Sequence, residues 1–345
     1  EWEGEKKFIS YLKIPKVCII QIQPMYIHEI LVQSMEMLQT TVRDLIKENQ
    51  RLRSLVTELG GNPNVVFAKS LERKKYSQLF VKIKPGVFLL GAFEDDQEAD
   101  AEEYPQHQVT LSRAFAISRY QVTQKLWEQV MDVNPSSFSG PNRPVENVNW
   151  LDCILFCNKY SEIKGLEKVY EVPKGLESVL KSQQKPISAA VNRLSRSIKQ
   201  NLDATGYRLP TEAEWEYCAK ANMNFLYSGS NNPEEVAWYG SHFARDLKDG
   251  NSHGTTHLVG CKNPNAFAIH DMSGNVWEWC WDWYGDYLAE SVLDPTGIPN
   301  GVNKVSRGGC WRGGTWGTRV SGRYRYEPSF RNSNIGFRLV RTLSS

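Results

Sequence analysis

The sequence predicts an α+β domain preceded by a coiled-coil helix, and three observations carry that expectation. Leucine recurs at every seventh position over residues 31–59, short β-rich runs cut by Pro and Gly begin near residue 76, and two helices with apolar spacing of three and four interrupt them. The organisation read from these patterns is a short N-terminal segment at 1–25, a zipper-like helix at 26–59, a linker at 60–75 and a large domain at 76–345.

The helix "YIHEILVQSMEMLQTTVRDLIKENQRLRSLVTEL" contains neither Gly nor Pro. With Leu31, Leu38, Leu45, Leu52 and Leu59 at d, the a positions are Met35, Val42, Asn49 and Val56. A lone Asn at a fixes register across a parallel two-stranded coil, and Glu48 at g meets Arg53 at e of the partner helix, so the segment predicts a parallel homodimer through residues 31–59. One amphipathic helix packed on its own domain is the alternative. Only scattered lysines precede the leucines, so a basic zipper reading DNA is not expected. "GGNPN" at 60–64 stops the helix.

In the large domain, "LFVKIKPGVFLLGAF" and "HQVTLSRAFAISRYQVT" read as pairs of strands, and "WLDCILFCNKYSE" and "PTEAEWEYCAKA" as helices, the second opened by a capping box from Thr211 to Glu214. In "NVWEWCWDW" the four indoles Trp277, Trp279, Trp281 and Trp283 alternate, so a strand here sets them on one covered face. The run "EDDQEADAEE" at 94–103 reads as a solvated loop, and "HGTTH" at 253–257 lacks the Glu of a zinc helix.

Composition narrows the function. Basic residues exceed acidic ones by only 2, so no overall field draws the molecule to nucleic acid or an acidic membrane. The 7 cysteines form no C-x-x-C pair, which argues against a disulfide framework or a zinc site; Cys153 and Cys157 read as small buried residues. No apolar run is long enough for a membrane span, "EWEGEKKF" does not read as a signal peptide, and localisation is left unknown. P-loop, dinucleotide and nucleophile-elbow motifs are missing.

The ordered motifs "RYQVTQKLWEQVM", "RPVENVNWLDCILFCNKYS", "GYRLPTEAEWEYCAKA", "DMSGNVWEWCWDWYG", "RGGCW" and "NIGFRLVR" resemble the formylglycine-generating-enzyme, or sulfatase-modifying factor, domain, an elaborated C-type lectin fold. The resemblance runs from about residue 78 to 342 and leaves out 173–203, which reads as a helical insertion. It implies two catalytic, copper-binding cysteines at the positions of Gly313 and Thr318. Neither residue supplies a thiolate, so neither oxidase activity nor copper is expected.

The resemblance also implies a structural calcium site at Asp271, the carbonyls of Gly274 and Val276, and Glu278, and "DMSGNVWE" has the oxygen-rich form a hard cation requires. Asp271 and Glu278 capping and pairing locally is the alternative. The frame "RGG", "RVS-R", "P--R" and "IGFR" further resembles variable proteins of diversity-generating retroelements, most closely the treponemal type, and implies a cell-surface setting. In those systems adenine-directed mutagenesis changes chosen Asn codons. Most residues between the frame positions are reachable from such codons, although Trp316 and Glu327 are not.

The expected ligand surface is Arg312, Gly313, Gly314, Thr315, Trp316, Thr318, Gly322, Tyr324, Tyr326, Ser329, Phe330 and Ser333. Tyr, Arg, Gly and Ser make an antibody-like binding composition, which favours a macromolecular, protein ligand. A nucleic-acid binder using the Arg and Tyr cluster is the competing class. Frame arginines such as Arg319, Arg323 and Arg338 read as structural, bonded to loop carbonyls.

Overall fold

The computed structural model describes residues 79–174, 187–241 and 250–343, together with Lys47, Glu48, Gln50, Arg51, Leu52, Ser54 and Thr57, which are helical. The predicted homodimeric coil, the linker and positions 175–186 of the insertion otherwise lie outside the described residues. The chain divides into two compact units, Glu1–Lys75 and Tyr76–Ser345, and every described strand belongs to the second.

That unit opens with β1 (Phe80–Ile83), β2 (Gly86–Leu90), β3 (His107–Leu111) and β4 (Phe115–Ser118). Helix α1 (Gln124–Met131) follows, capped by the Thr123 side chain, and then α2 (Trp150–Ile163), where Asn149 and Asp152 form a capping box. Next come β5 (Tyr170–Glu171), α3 (Ile187–Ser195), β6 (Lys199–Gln200), β7 (Tyr207–Arg208) and α4 (Glu212–Lys220). The Thr211–Glu214 capping box forms as the sequence predicts. The C-terminal half holds β8 (Ala237–Trp238), β9 (Ser273–Gly274), β10 (Trp277–Trp283), β11 (Val292–Leu293), β12 (Lys304–Arg307), β13 (Arg323–Tyr326), β14 (Ile335–Gly336) and β15 (Val340–Thr342).

Two four-stranded sheets, β1-β4-β15-β7 and β13-β12-β10-β14, carry the architecture, with β11-β3-β2 beside them and two-stranded ladders β5-β6 and β8-β9. Helix α2 is apolar nearly all round and is buried accordingly, from Trp150 through Phe156 and Cys157. Its Trp150 Nε1 donates to the Cys280 carbonyl at 2.9 Å, fixing the helix against β10. Both faces of β10 are covered: Glu278, Cys280 and Asp282 are as hidden as Trp277, Trp279 and Trp283. The alternation predicted one apolar face, and the second face is buried as well, with Glu278 paired to Arg338 and Asp282 accepting from the Glu212 amide.

Candidate functional site

The C-terminal stretch is sorted by the two-residue period of its strands. Across β10, β12 and β13, Glu278 stands opposite Arg307 and Arg307 opposite Arg323, while Trp279 stands opposite Ser306 and Ser306 opposite Tyr324. Residues directly opposed share a face of the sheet. One face therefore carries a charged row and the other an aromatic row, and Ser306 leaves room between two large rings.

The charged face is closed into the protein. Arg323 makes a two-pronged pair with Glu212 at 2.7 and 2.9 Å, and also donates to the carbonyls of Glu102 and Gly285. Arg307 pairs with Glu216 and donates to the carbonyls of Val320, Ser321 and Gly322. Arg319 is held by Asp96 at 2.6 Å and Glu103 at 2.8 Å, and Arg338 grips both oxygens of Glu278 at 2.6 and 2.7 Å. The frame arginines are structural, as read, but their main partners are carboxylates as well as carbonyls. Asp96 and Glu103 are buried, which corrects the reading of 94–103 as wholly solvated. A guanidinium inside the fold requires a paired counter-charge, and these two acids meet that requirement for Arg319.

The opposite face presents linked aromatic rings. Trp316 lies 6.3 Å from Tyr324, Tyr324 lies 4.9 Å from Tyr326, and Tyr326 stacks on Phe330 at 4.0 Å with the planes 3° apart. Beneath them, Trp277 supports Tyr324 at 5.5 Å and Trp279 meets Tyr326 edge-on at 6.1 Å. The alternation of Tyr324 and Tyr326 in the sequence thus sets both on one face. Tyr324 and Arg312 are exposed; Gly313, Thr315, Trp316, Tyr326, Ser329, Phe330 and Ser333 are half-buried around them.

Gly314, Thr318 and Gly322 are buried, which corrects their assignment to the ligand surface. Thr318 turns its hydroxyl onto the Thr315 carbonyl at 2.8 Å, and a Cβ at Gly322 would sit 3.1 Å from the Trp316 carbonyl. These three residues shape the turn that presents the surface.

The turn 271–278 gathers oxygen. The carbonyls of Asp271, Gly274 and Val276 and Oε1 of Glu278 all lie 3.0–3.4 Å from Nε2 of Gln121. Asp271, Gly274 and Asn275 adopt left-handed φ values of 56°, 81° and 66°, a backbone path on which Gly274 carries no Cβ penalty. The cradle differs from expectation in one respect: Asp271 contributes its main-chain carbonyl, while its carboxylate Oδ2 accepts from Gly260 at 2.7 Å and Oδ1 is buried without a hydrogen-bond partner. Such convergence of hard oxygens suits Ca²⁺. Among the described residues no three His, Cys, Asp or Glu side chains converge, and the cradle consists of three carbonyl oxygens and one carboxylate.

Three residues at these sites were not singled out from sequence. Gln121 faces the cradle from a segment 150 residues or more away, and its own Oε1 is a buried, unpartnered acceptor. Trp215 donates to Glu278 at 2.7 Å. Asn192 of α3 bonds Glu327 and the Ser329 amide beside the aromatic rings. No local pattern marks any of them, because each meets its partners only after the chain has folded.

The model of the sulfatase-modifying factor enzyme 1-like domain matches residues 67–343. The chain belongs to that family. Within it, the chain is similar to the solved variable protein 1 of Treponema denticola, at 34% identity and a TM-score of 0.64, over 76% of this chain and 94% of that one. It is 35% identical over 263 residues to the chaperone protein LppX of Paenibacillus barcinonensis, covering 73% of this chain and 87% of that protein. The formylglycine-generating enzyme of Streptomyces coelicolor is 36% identical over 155 residues, 39% of this chain and 49% of the enzyme. The family thus joins enzymes and a variable protein on one scaffold, and the side chains at the site decide between them. At the positions that the resemblance assigns to the oxidase cysteines stand Gly313, half-buried, and Thr318, buried. Cys310 is the neighbouring thiol, and burial holds its pKa above the ordinary cysteine value, which opposes thiolate formation.

Proposed function

We propose that this protein is a non-catalytic recognition protein, built on a C-type lectin scaffold, whose C-terminal aromatic surface binds a protein ligand. The observation that carries the reading is the split between the two faces of β13: Arg323 is locked to Glu212 inside, while Tyr324 stands 40% exposed outside. Surface residues on such a frame are exchangeable at little cost to the fold, which is what diversification by a retroelement requires. Likeness to a treponemal variable protein over most of that protein's length supports this reading. A relative named as a chaperone supports a polypeptide as ligand.

Two further parts belong to the same proposal. Calcium, held by the carbonyls of Asp271, Gly274 and Val276 and by Glu278, ties β9 to β10 behind the surface. The leucine repeat of residues 31–59 pairs two copies in parallel, so that two surfaces act together and avidity exceeds single-site affinity.

Replacing Tyr324, Tyr326 and Phe330 together by Ser tests the reading. The expected outcome is loss of ligand retention with a melting temperature lowered by no more than a few degrees, since one domain-scale kcal/mol is worth about 2–4 °C. Global unfolding of the variant, or ligand retention unchanged by it, would count against the proposal. A near-copy of the codons for 307–341 in the neighbouring DNA, differing only at adenines, is the corresponding genetic observation.

A further inference from the structure

Helix α3 belongs to the insertion that has no counterpart in the family resemblance, yet it borders the aromatic surface. Asn192 uses both ends of its amide there: Nδ2 donates to Glu327 Oε2 at 2.8 Å, and Oδ1 accepts from the Ser329 amide at 3.1 Å. Val191 is fully buried in the core cluster against which Tyr326 and Phe330 also pack. The Trp150 amide, donating to the Pro328 carbonyl at 3.1 Å, holds the same turn from the other side. The turn 327–330 is therefore fixed between two helices, and α3 forms a wall beside the rings.

The charges along that border are unequal. Arg325 is neutralised by Glu102 at 2.5 Å and Arg331 by Asp152 at 2.9 Å. Arg193 and Arg196 on the insertion and Arg312 in the C-terminal stretch are exposed and form no ion pair among the described residues. Arg193 is the immediate chain neighbour of Asn192, and Arg196 follows the last residue of α3, four positions beyond Asn192. Against these three cations stands Glu327, whose partner Asn192 is neutral. Among the described residues that border carries excess positive charge, on a chain whose net charge is only +2.

We propose that the insertion supplies a fixed cationic wall to the recognition surface, selecting protein segments in which carboxylates flank an aromatic side chain. The inference rests on the recognition reading above. An aromatic group stacks among Tyr324, Tyr326 and Phe330, while flanking carboxylates meet Arg193, Arg196 and Arg312, whose charges steer encounter more than they add affinity. The wall would set the ligand class while exchanges on the floor set the individual partner.

The test uses the full chain and a random copolymer of Glu and Tyr as probe, with a Lys–Tyr copolymer and single-stranded DNA as controls. The charge reversal R193E/R196E changes two exposed side chains, so melting is expected to be unaffected. Binding of the Glu–Tyr copolymer should weaken about tenfold and lose most of its salt dependence. If the reversal leaves that binding unchanged while the Ser replacements of Tyr324, Tyr326 and Phe330 abolish it, the wall is wrong and the recognition surface stands. If neither set of changes affects binding, both readings fail. Equal binding of the Lys–Tyr copolymer, or tighter binding of DNA, overturns the acidic-segment proposal.

Discussion

Glu146 follows Val145 in the segment that leads into α2 and is fully buried. Its Oε1 accepts from the Phe138 amide at 2.8 Å, while Oε2 has no partner among the described residues. Burial lifts its pKa to about 7, and hydrogen bonds from the Phe138 and Ser137 backbone only partly oppose that rise. A carboxyl whose pKa is higher folded than unfolded binds more protons in the native state between those two values, so stability falls as pH rises through that window. The expected loss is on the order of 2 kcal/mol between about pH 5 and about pH 8. Glu146→Gln should flatten this slope, measured as denaturation midpoints across pH. Arg319 is a second residue-scale case. Arg319→Leu leaves Asp96 and Glu103 buried without their cation and should cost about 3–5 kcal/mol in chemical denaturation.

At the scale of elements, local periodicity was a good guide and pairing across the chain was not. The helices α2 and α4 and the capping box at Thr211 followed from spacing, and the alternation of Trp277 to Trp283 and of Tyr324 with Tyr326 fixed which side chains share a face. What alternation could not reveal is which polar residues are taken inside. Asp96 and Glu103 resemble their solvated neighbours in composition, and they are buried only because Arg319 arrives from 223 and 216 residues away. The same reason hides Gln121 at the oxygen cradle. Thr318 and Gly322 read as surface positions because they lie between exposed ones, but the turn built from Thr315–Thr318 curls them inward. The parallel β8–β9 ladder gives an element-scale prediction. Gly274 has a φ of 81°, and a Cβ there would come within 2.3 Å of the Trp238 carbonyl. Gly274→Ala should therefore destabilise the domain by more than about 1 kcal/mol and displace a carbonyl of the cradle.

The whole molecule combines a frame held by buried ion pairs with the aromatic surface for which exchangeability is proposed. The family and the lectin-type fold were legible because many short motifs occur in order along the chain. The identity of the ligand was not, since binding faces are assembled from side chains whose only shared property is exposure. Calcium, if it fills the cradle, stabilises by mass action: at a hundredfold excess over its dissociation constant the gain is about 2.7 kcal/mol. Melting should rise by several degrees with calcium and fall with chelator, and an unchanged melting temperature would remove calcium from the account. The division into frame and surface is tested most directly by randomising Arg312, Tyr324, Tyr326, Ser329 and Phe330 together and measuring the melting temperature of each folded product. Melting temperatures clustered within a few degrees of the parent's are the expected result. If most variants fail to fold or melt far below it, the aromatic surface is part of the frame, and the central claim is contradicted.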